Sequence, residues 1–116
     1  MIEVIICNYL SEKLGCRVLP ERPSRPFGRM VFVERTSGRG RYIKETTIAI
    51  QSYEESMYKA AELNDAVIAA METIAEDTSE EVNETITGCE LNSNYNYTDT
   101  TTKEYRYQAV FTVYHY

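Results

Sequence analysis

Few residues in this chain have the type and spacing for chemistry. Its 116 residues include one histidine, His115, and three cysteines, Cys7, Cys16 and Cys89. A zinc site asks for four Cys or His ligands at tight spacing, commonly in Cys-x-x-Cys pairs. These cysteines are scattered, form no such pair and lie far from His115. They read instead as reduced thiols, with Cys7 and Cys89 as small core hydrophobes. Nucleophilic catalysis needs a His or a perturbed Lys beside Ser or Cys. His115 stands alone, on a strand pattern expected to end at the surface. Carboxylates are plentiful, but they gather on one face of a helical segment and in the run 76–81, where they read as solubilising. Gly38-x-Gly40 lies between two strand patterns, without the following helix that a phosphate loop requires. These absences predict a protein that is not an enzyme and holds no metal or cofactor.

The elements that position these residues follow from periodicity. Ile2, Ile5, Ile6, Tyr9, Leu10 and Leu14 fall on one helical face, which predicts a helix over 2–14 ended by Gly15. A short strand is expected at 16–19. Pro20, Pro23 and Pro26 follow, and proline favours an extended connection over a helix or inner strand. Residues 29–35 and 45–53 read as strands, the second alternating Ile48 and Ile50 with polar or small neighbours. Between them, 36–41 reads as a flexible basic loop, so the pair is a hairpin with a long Gly-Arg tip. Residues 56–75 form the clearest helix, with Ser56 or the acids before it at its start and Ala60, Leu63, Val67, Ala70, Met71 and Ile74 along one arc. Asn64 falls inside that arc, as a hydrogen-bonded interior Asn or, less commonly, a contact to another subunit. Residues 85–91 read as a strand, 92–103 as a long polar turn, and 105–116 as a final strand. In that strand Tyr105, Tyr107, Ala109, Phe111 and Val113 share a face. The order α-β-β-β-α-β-β predicts one α+β domain over 1–116, with a mainly antiparallel sheet and helices 2–14 and 56–75 packed on one face.

Composition bounds the class. Apolar residues make up 43% and charged residues 26%, ordinary for a globular domain able to bury a core. No window approaches 18 consecutive apolar residues, so no transmembrane helix and no membrane partner are expected. The start Met1-Ile2-Glu3-Val4 lacks a basic n-region and reads as no signal peptide, which predicts synthesis in the cytoplasm.

The formal charge of −6 conceals a split. Residues 13–44 hold nine basic residues against two acids, a net of +7, and residues 45–90 hold one base against twelve acids, a net of −11. Three readings stand open: the segments pair within the fold, they meet between copies head to tail, or the arginines touch nucleic acid. The acidic total weighs against a dedicated DNA binder. Tyrosine adds a second signal. Four tyrosines occur in the last twelve residues, with Tyr95 and Tyr97 just before. Tyr suits interfaces because it is amphipathic and rather rigid, and it also simply favours strands.

Several stretches carry a family resemblance. They are the opening helix Ile2-Glu3-Val4-Ile5-Ile6 to Leu10-x-x-x-Leu14-Gly15, and Pro20-Glu21-Arg22-Pro23-x-x-Pro26 leading into Val31-Phe32-Val33-Glu34-Arg35-Thr36. Thr47-Ile48-Ala49-Ile50-Gln51-Ser52-Tyr53 followed by Ser56 and Ala60-Ala61-Glu62-Leu63 adds to it. So do Glu90-Leu91-Asn92-Ser93 and Arg106-Tyr107-Gln108-Ala109-Val110-Phe111. Together they resemble the tail terminator (tail completion, or minor capsid) proteins of long-tailed, lambda-like phages, in the form found in prophages of Gram-positive bacteria. The likeness implies a non-enzymatic protein that forms a homo-oligomeric ring, a hexamer in the family, on the tail tube. Such a ring ends tube elongation and joins tail to head. The implied partners are the tail tube protein and head–tail connector proteins, with passive contact to phage DNA in the lumen. The implied location is the host cytoplasm during assembly and then the virion. Within that frame Arg35, Arg39, Arg41 and Lys44 around the hairpin, with Tyr95 and Tyr97, are the candidate subunit or lumen contacts. Alternatives are another head–tail connector or tail-tube component, and a stand-alone protein-binding module.

Overall fold

A computed structural model describes residues 1–22, 24, 28–76, 82 and 85–116. Helix α1 (Ile2–Leu14) buries Ile2, Ile6, Cys7, Tyr9 and Leu10, as its apolar stripe predicts. It stops at Gly15, whose φ of 62° is left-handed and whose N–H donates to Ser11 O at 3.0 Å. Strand β1 (Arg17–Leu19) is short. Pro23 and Pro26 of the proline connection, and 77–81 of the acidic run, lie outside the described residues.

Strand β2 spans Met30–Arg39 and β3 spans Lys44–Glu54. The expected loop at 36–41 is therefore mostly strand. Ser37, Gly38 and Arg39 pair with Thr47, Thr46 and Glu45, past a register shift between Arg35 and Ser37. Cross-strand hydrogen bonding to β3 overrides the weak strand propensity of Thr-Ser-Gly, and the tip shrinks to 40–43. Gly40 makes the turn possible: its φ is +106°, and a Cβ there would collide with Ile43 O.

Helix α2 (Met57–Glu72) is capped by Ser56, whose side chain accepts from Lys59 N at 3.2 Å. It ends earlier than 75, and Ile74–Glu76 form a separate 3₁₀ turn. Strand β4 (Ile86–Asn96) also outruns its expected end, because Ser93, Asn94, Tyr95 and Asn96 all pair with β5 (Tyr105–His115). The polar turn at 92–103 is thus strand up to Asn96.

The five strands form one α+β sheet in the order β1-β2-β3-β5-β4, antiparallel except for the β1–β2 pair. Both helices pack on one face. There Leu10, Leu63, Val67 and Met71 meet Val31, Val33, Ile48, Ile50, Ala109, Phe111 and Val113 in a single core. On the other face Met30, Phe32 and Tyr53 form a small cluster with Leu19, beside Ala49, Val110 and half-buried polar side chains such as Gln51, Gln108 and Thr112. Asn64 is the interior amide expected, donating from Nδ2 to Asn94 Oδ1 at 2.7 Å. No helix among the described residues is long and apolar enough to cross a membrane.

Candidate functional site

The β2–β3 hairpin gathers the basic candidates. Arg35, Arg39 and Lys44 line an open cleft of about 550 Å³ with Met1 and Ile2 at the start of α1 and His115 at the end of β5. Most of these charges are paired within the chain. Arg35 Nε lies 3.6 Å from Glu3 Oε2, and Arg39 Nε lies 2.6 Å from Glu45 Oε2. Arg41 lies over the Tyr42 ring at 5.6 Å, a cation–π contact. Lys44 makes no ion pair among the described residues.

The tyrosine candidates sit elsewhere. Tyr95 and Tyr97 form a tilted pair, with ring centroids 5.9 Å apart, at the end of β4. Tyr95 is level with Gln108, Gln51 and Phe32 across the sheet, whereas Arg39 is level with Glu45, Tyr114 and Gly88. Six residues of β3 separate those levels, or about 20 Å at about 3.3 Å per residue. Arg39, Arg41 and Lys44 therefore lie at one end of the sheet and Tyr95 and Tyr97 at the other, with Arg35 midway along β2 on the helix face.

Periodicity missed further exposed groups. Tyr42, 80% exposed, and Ile43 stand bare at the hairpin tip, and Met57 and Tyr58 stand bare at the start of α2. Asn96 Nδ2 donates to Met57 Sδ at 3.2 Å, which joins that helix start to the tyrosine patch. A bare apolar group at a turn or a helix's first position carries no periodic signal, so only the unbroken Tyr42-Ile43 dipeptide could have flagged it. Near the same end Tyr53 is gripped from two sides. Arg22 Nε and Arg106 Nη1 donate to its hydroxyl at 3.1 and 3.2 Å, and the hydroxyl donates to Gln51 Oε1 at 2.8 Å.

The groups with nucleophilic potential are held quiet. Burial pushes the Cys7 thiol up to about 11 and the Cys89 thiol up to about 12, so both stay protonated at neutral pH. His115 is buried at the end of β5, not at the surface as expected. Thr46 Oγ1 and His115 Nε2 share a hydrogen bond of 2.7 Å. Burial holds this imidazole below its ordinary value, with help from Lys44. No group of three or more His, Cys, Asp or Glu among the described residues could hold a metal ion. What the arrangement offers is two exposed, chemically different patches on a rigid sheet, a geometry for contact.

No family model and no curated protein sequence matches the chain. Among solved structures the fold is similar to that of a chain in the virion of a native gene transfer agent particle. The TM-score is 0.59 at 14% identity, over 91% of this chain and 83% of that one. The two chains share a fold over nearly their whole lengths.

Proposed function

We propose that this chain is a non-enzymatic structural protein of a phage-type particle, and within that class a tail terminator. Copies close into a ring on the finished tail tube, stop its growth and present a second surface to the head connector. The observation that carries this reading is the fold shared with a virion chain across 91% of the sequence. The sequence resemblance to tail terminators points the same way. Two further features fit it. The hairpin and tyrosine patches lie at opposite ends of the sheet, as a subunit with two different docking partners requires. The basic and acidic halves of the chain suit head-to-tail contacts, which close into rings. The hairpin tip, with Arg41 and Tyr42, is the element free to reach a neighbour or the lumen, where it would meet DNA through nonspecific charge.

Light scattering behind a sizing column, across protein concentration and salt, tests the reading. A discrete species near six copies, weakened by salt, is the expected result. Long polymers would indicate a tube protein instead. A strict monomer that also fails to bind purified tail tubes would sink the assembly reading and leave a stand-alone binding module.

A further inference from the structure

We propose that copies join edge to edge. The outer edge of β4 in one copy pairs antiparallel with residues 33–39 of β2 in the next, so that one continuous sheet runs through the assembly. This rests on the self-assembly reading above and names the surface that performs it.

Both edges are unpaired among the described residues. β4 ends the strand order, and β1 covers β2 only at Met30, Val31 and Phe32. An edge of free N–H and C=O groups is a template for another strand, and monomers guard such edges with Lys, Pro or short length. β4 runs eleven residues with no Lys, Arg or Pro, and Glu90 is its single charge.

Direction and height also agree. β2 and β5 run one way and β3 and β4 the other, so adding β2 beside β4 keeps the antiparallel alternation and leaves all helices on one side. The cross-strand series Glu90–Thr112–Thr47–Ser37 and Leu91–Phe111–Ile48–Arg35 put the middle of β4 level with the uncovered part of β2. Two copies side by side therefore meet without sliding.

Charge selects the same neighbour. On the face away from the helices Glu90 accepts from Tyr114 Oη at 3.3 Å, and the same face carries Arg39 on Glu45. On the helix face the exposed acid Glu72 of α2 lies near Cys89 of β4, close enough to raise its thiol pKa. Arg35, exposed on β2 and paired with Glu3 of α1, lies on the same face at the other edge. The β4 edge thus carries acids alone, Glu90 with Glu72 beside it, and the uncovered β2 edge carries Arg35 and Arg39 against the single acid Glu34, a balance that favours head-to-tail over two-fold pairing. Register shifts at Ile86/Gly88 and Leu91/Ser93 in β4, and at Arg35/Ser37 in β2, add the twist and bend that a sheet closing on itself requires.

Amide hydrogen exchange of the full chain, dilute and assembled (alone or on tail tubes), tests the inference. Amides in 86–96 and in 33–39 should gain protection together, by about tenfold or more, while 57–72 stays unchanged. The variant Glu90→Lys/Leu91→Lys places guard charges on an already exposed edge. It should keep the monomer's circular dichroism and melting midpoint and weaken self-association by about tenfold or more. Rings that form without new protection in these two segments would overturn edge pairing and leave the ring reading standing. So would a guarded variant that assembles normally. A chain that assembles in neither setting would overturn both.

Discussion

Thr46 Oγ1 and His115 Nε2 meet at 2.7 Å inside the sheet, where β3 begins and β5 ends. Nδ1 of the same ring lies 3.1 Å from Tyr116 O, so both ring nitrogens are engaged. Burial holds the imidazole below its ordinary 6.5, and Lys44 and Arg35 push the same way. The Tyr116 carbonyl and Glu3 oppose them.

That arrangement makes stability depend on pH with a definite sign. The unfolded chain takes up a proton at about 6.5 on this residue, and the folded chain takes it up only at lower pH. His115 therefore contributes full stability above pH 6.5, and the contribution declines as pH falls through the lowered folded value. Urea midpoints should drop between pH 7 and pH 5 in the parent chain, and His115→Gln should flatten that slope. An equal slope in the variant would refute the assignment. Thr46→Val leaves the ring nitrogen unpartnered and should cost about 1–3 kcal/mol.

The core makes a second test. Phe111 lies on β5 in the main core beneath α2 and is fully buried. Phe111→Ala should cost about 3–5 kcal/mol, because its surroundings are strand and helix side chains that cannot collapse into the gap. Denaturant unfolding at constant slope would show it. A loss below about 1 kcal/mol would mean the helices are not docked on this face.

Much of this fold is legible in the residues, and the failures share a cause. Helices α1 and α2 were readable because Ile2, Ile6 and Leu10, and Leu63, Val67 and Met71, repeat at helical spacing with Gly15 and Ser56 as stop and start. Residues 36–39 and 92–96 were not, because Thr-Ser-Gly-Arg and Asn-Ser-Asn-Tyr-Asn hold no alternating apolar pattern. Their strand state comes from hydrogen-bonded partners distant in sequence. His115 misled for a related reason, since its hydrogen-bond partner Thr46 is 69 residues away. The candidate contacts were legible as residue types, but their separation into two patches required the strand order.

The thiols give a third test. Raising the pKa from an ordinary 9.0 to about 11 at Cys7 cuts its thiolate population at pH 8 by about a hundredfold, and Cys89 at about 12 falls further. Alkylation at these two positions, followed by peptide mass spectrometry, should be slow in buffer and fast in denaturant. Rapid labelling of Cys7 in buffer would show that α1 opens.

The hairpin tip depends on one backbone conformation. Gly40→Ala forces a side chain into a φ of +106° and against Ile43 O, so the turn must rearrange. The expected cost is about 1–3 kcal/mol. Exchange protection should be lost at 37–39 and 44–46 and kept at 48–52. Unchanged protection on both sides of the turn would contradict the turn described.

Arg39 and Arg41 test the tip's role apart from its fold. Arg39 is 83% exposed despite its bond to Glu45, and Arg41 touches only the Tyr42 ring among the described residues. Exposed pairs of this kind contribute little to stability, so Arg39→Glu/Arg41→Glu should leave the melting midpoint within a few degrees. If the tip reaches a neighbouring copy or the lumen, the same double reversal changes assembly out of proportion to that small cost. Sizing by light scattering should show fewer rings, and tails assembled with the variant should lose length control or virion yield. Normal rings, tail length and yield would remove the tip from the interface and leave the edges of β2 and β4 to carry it.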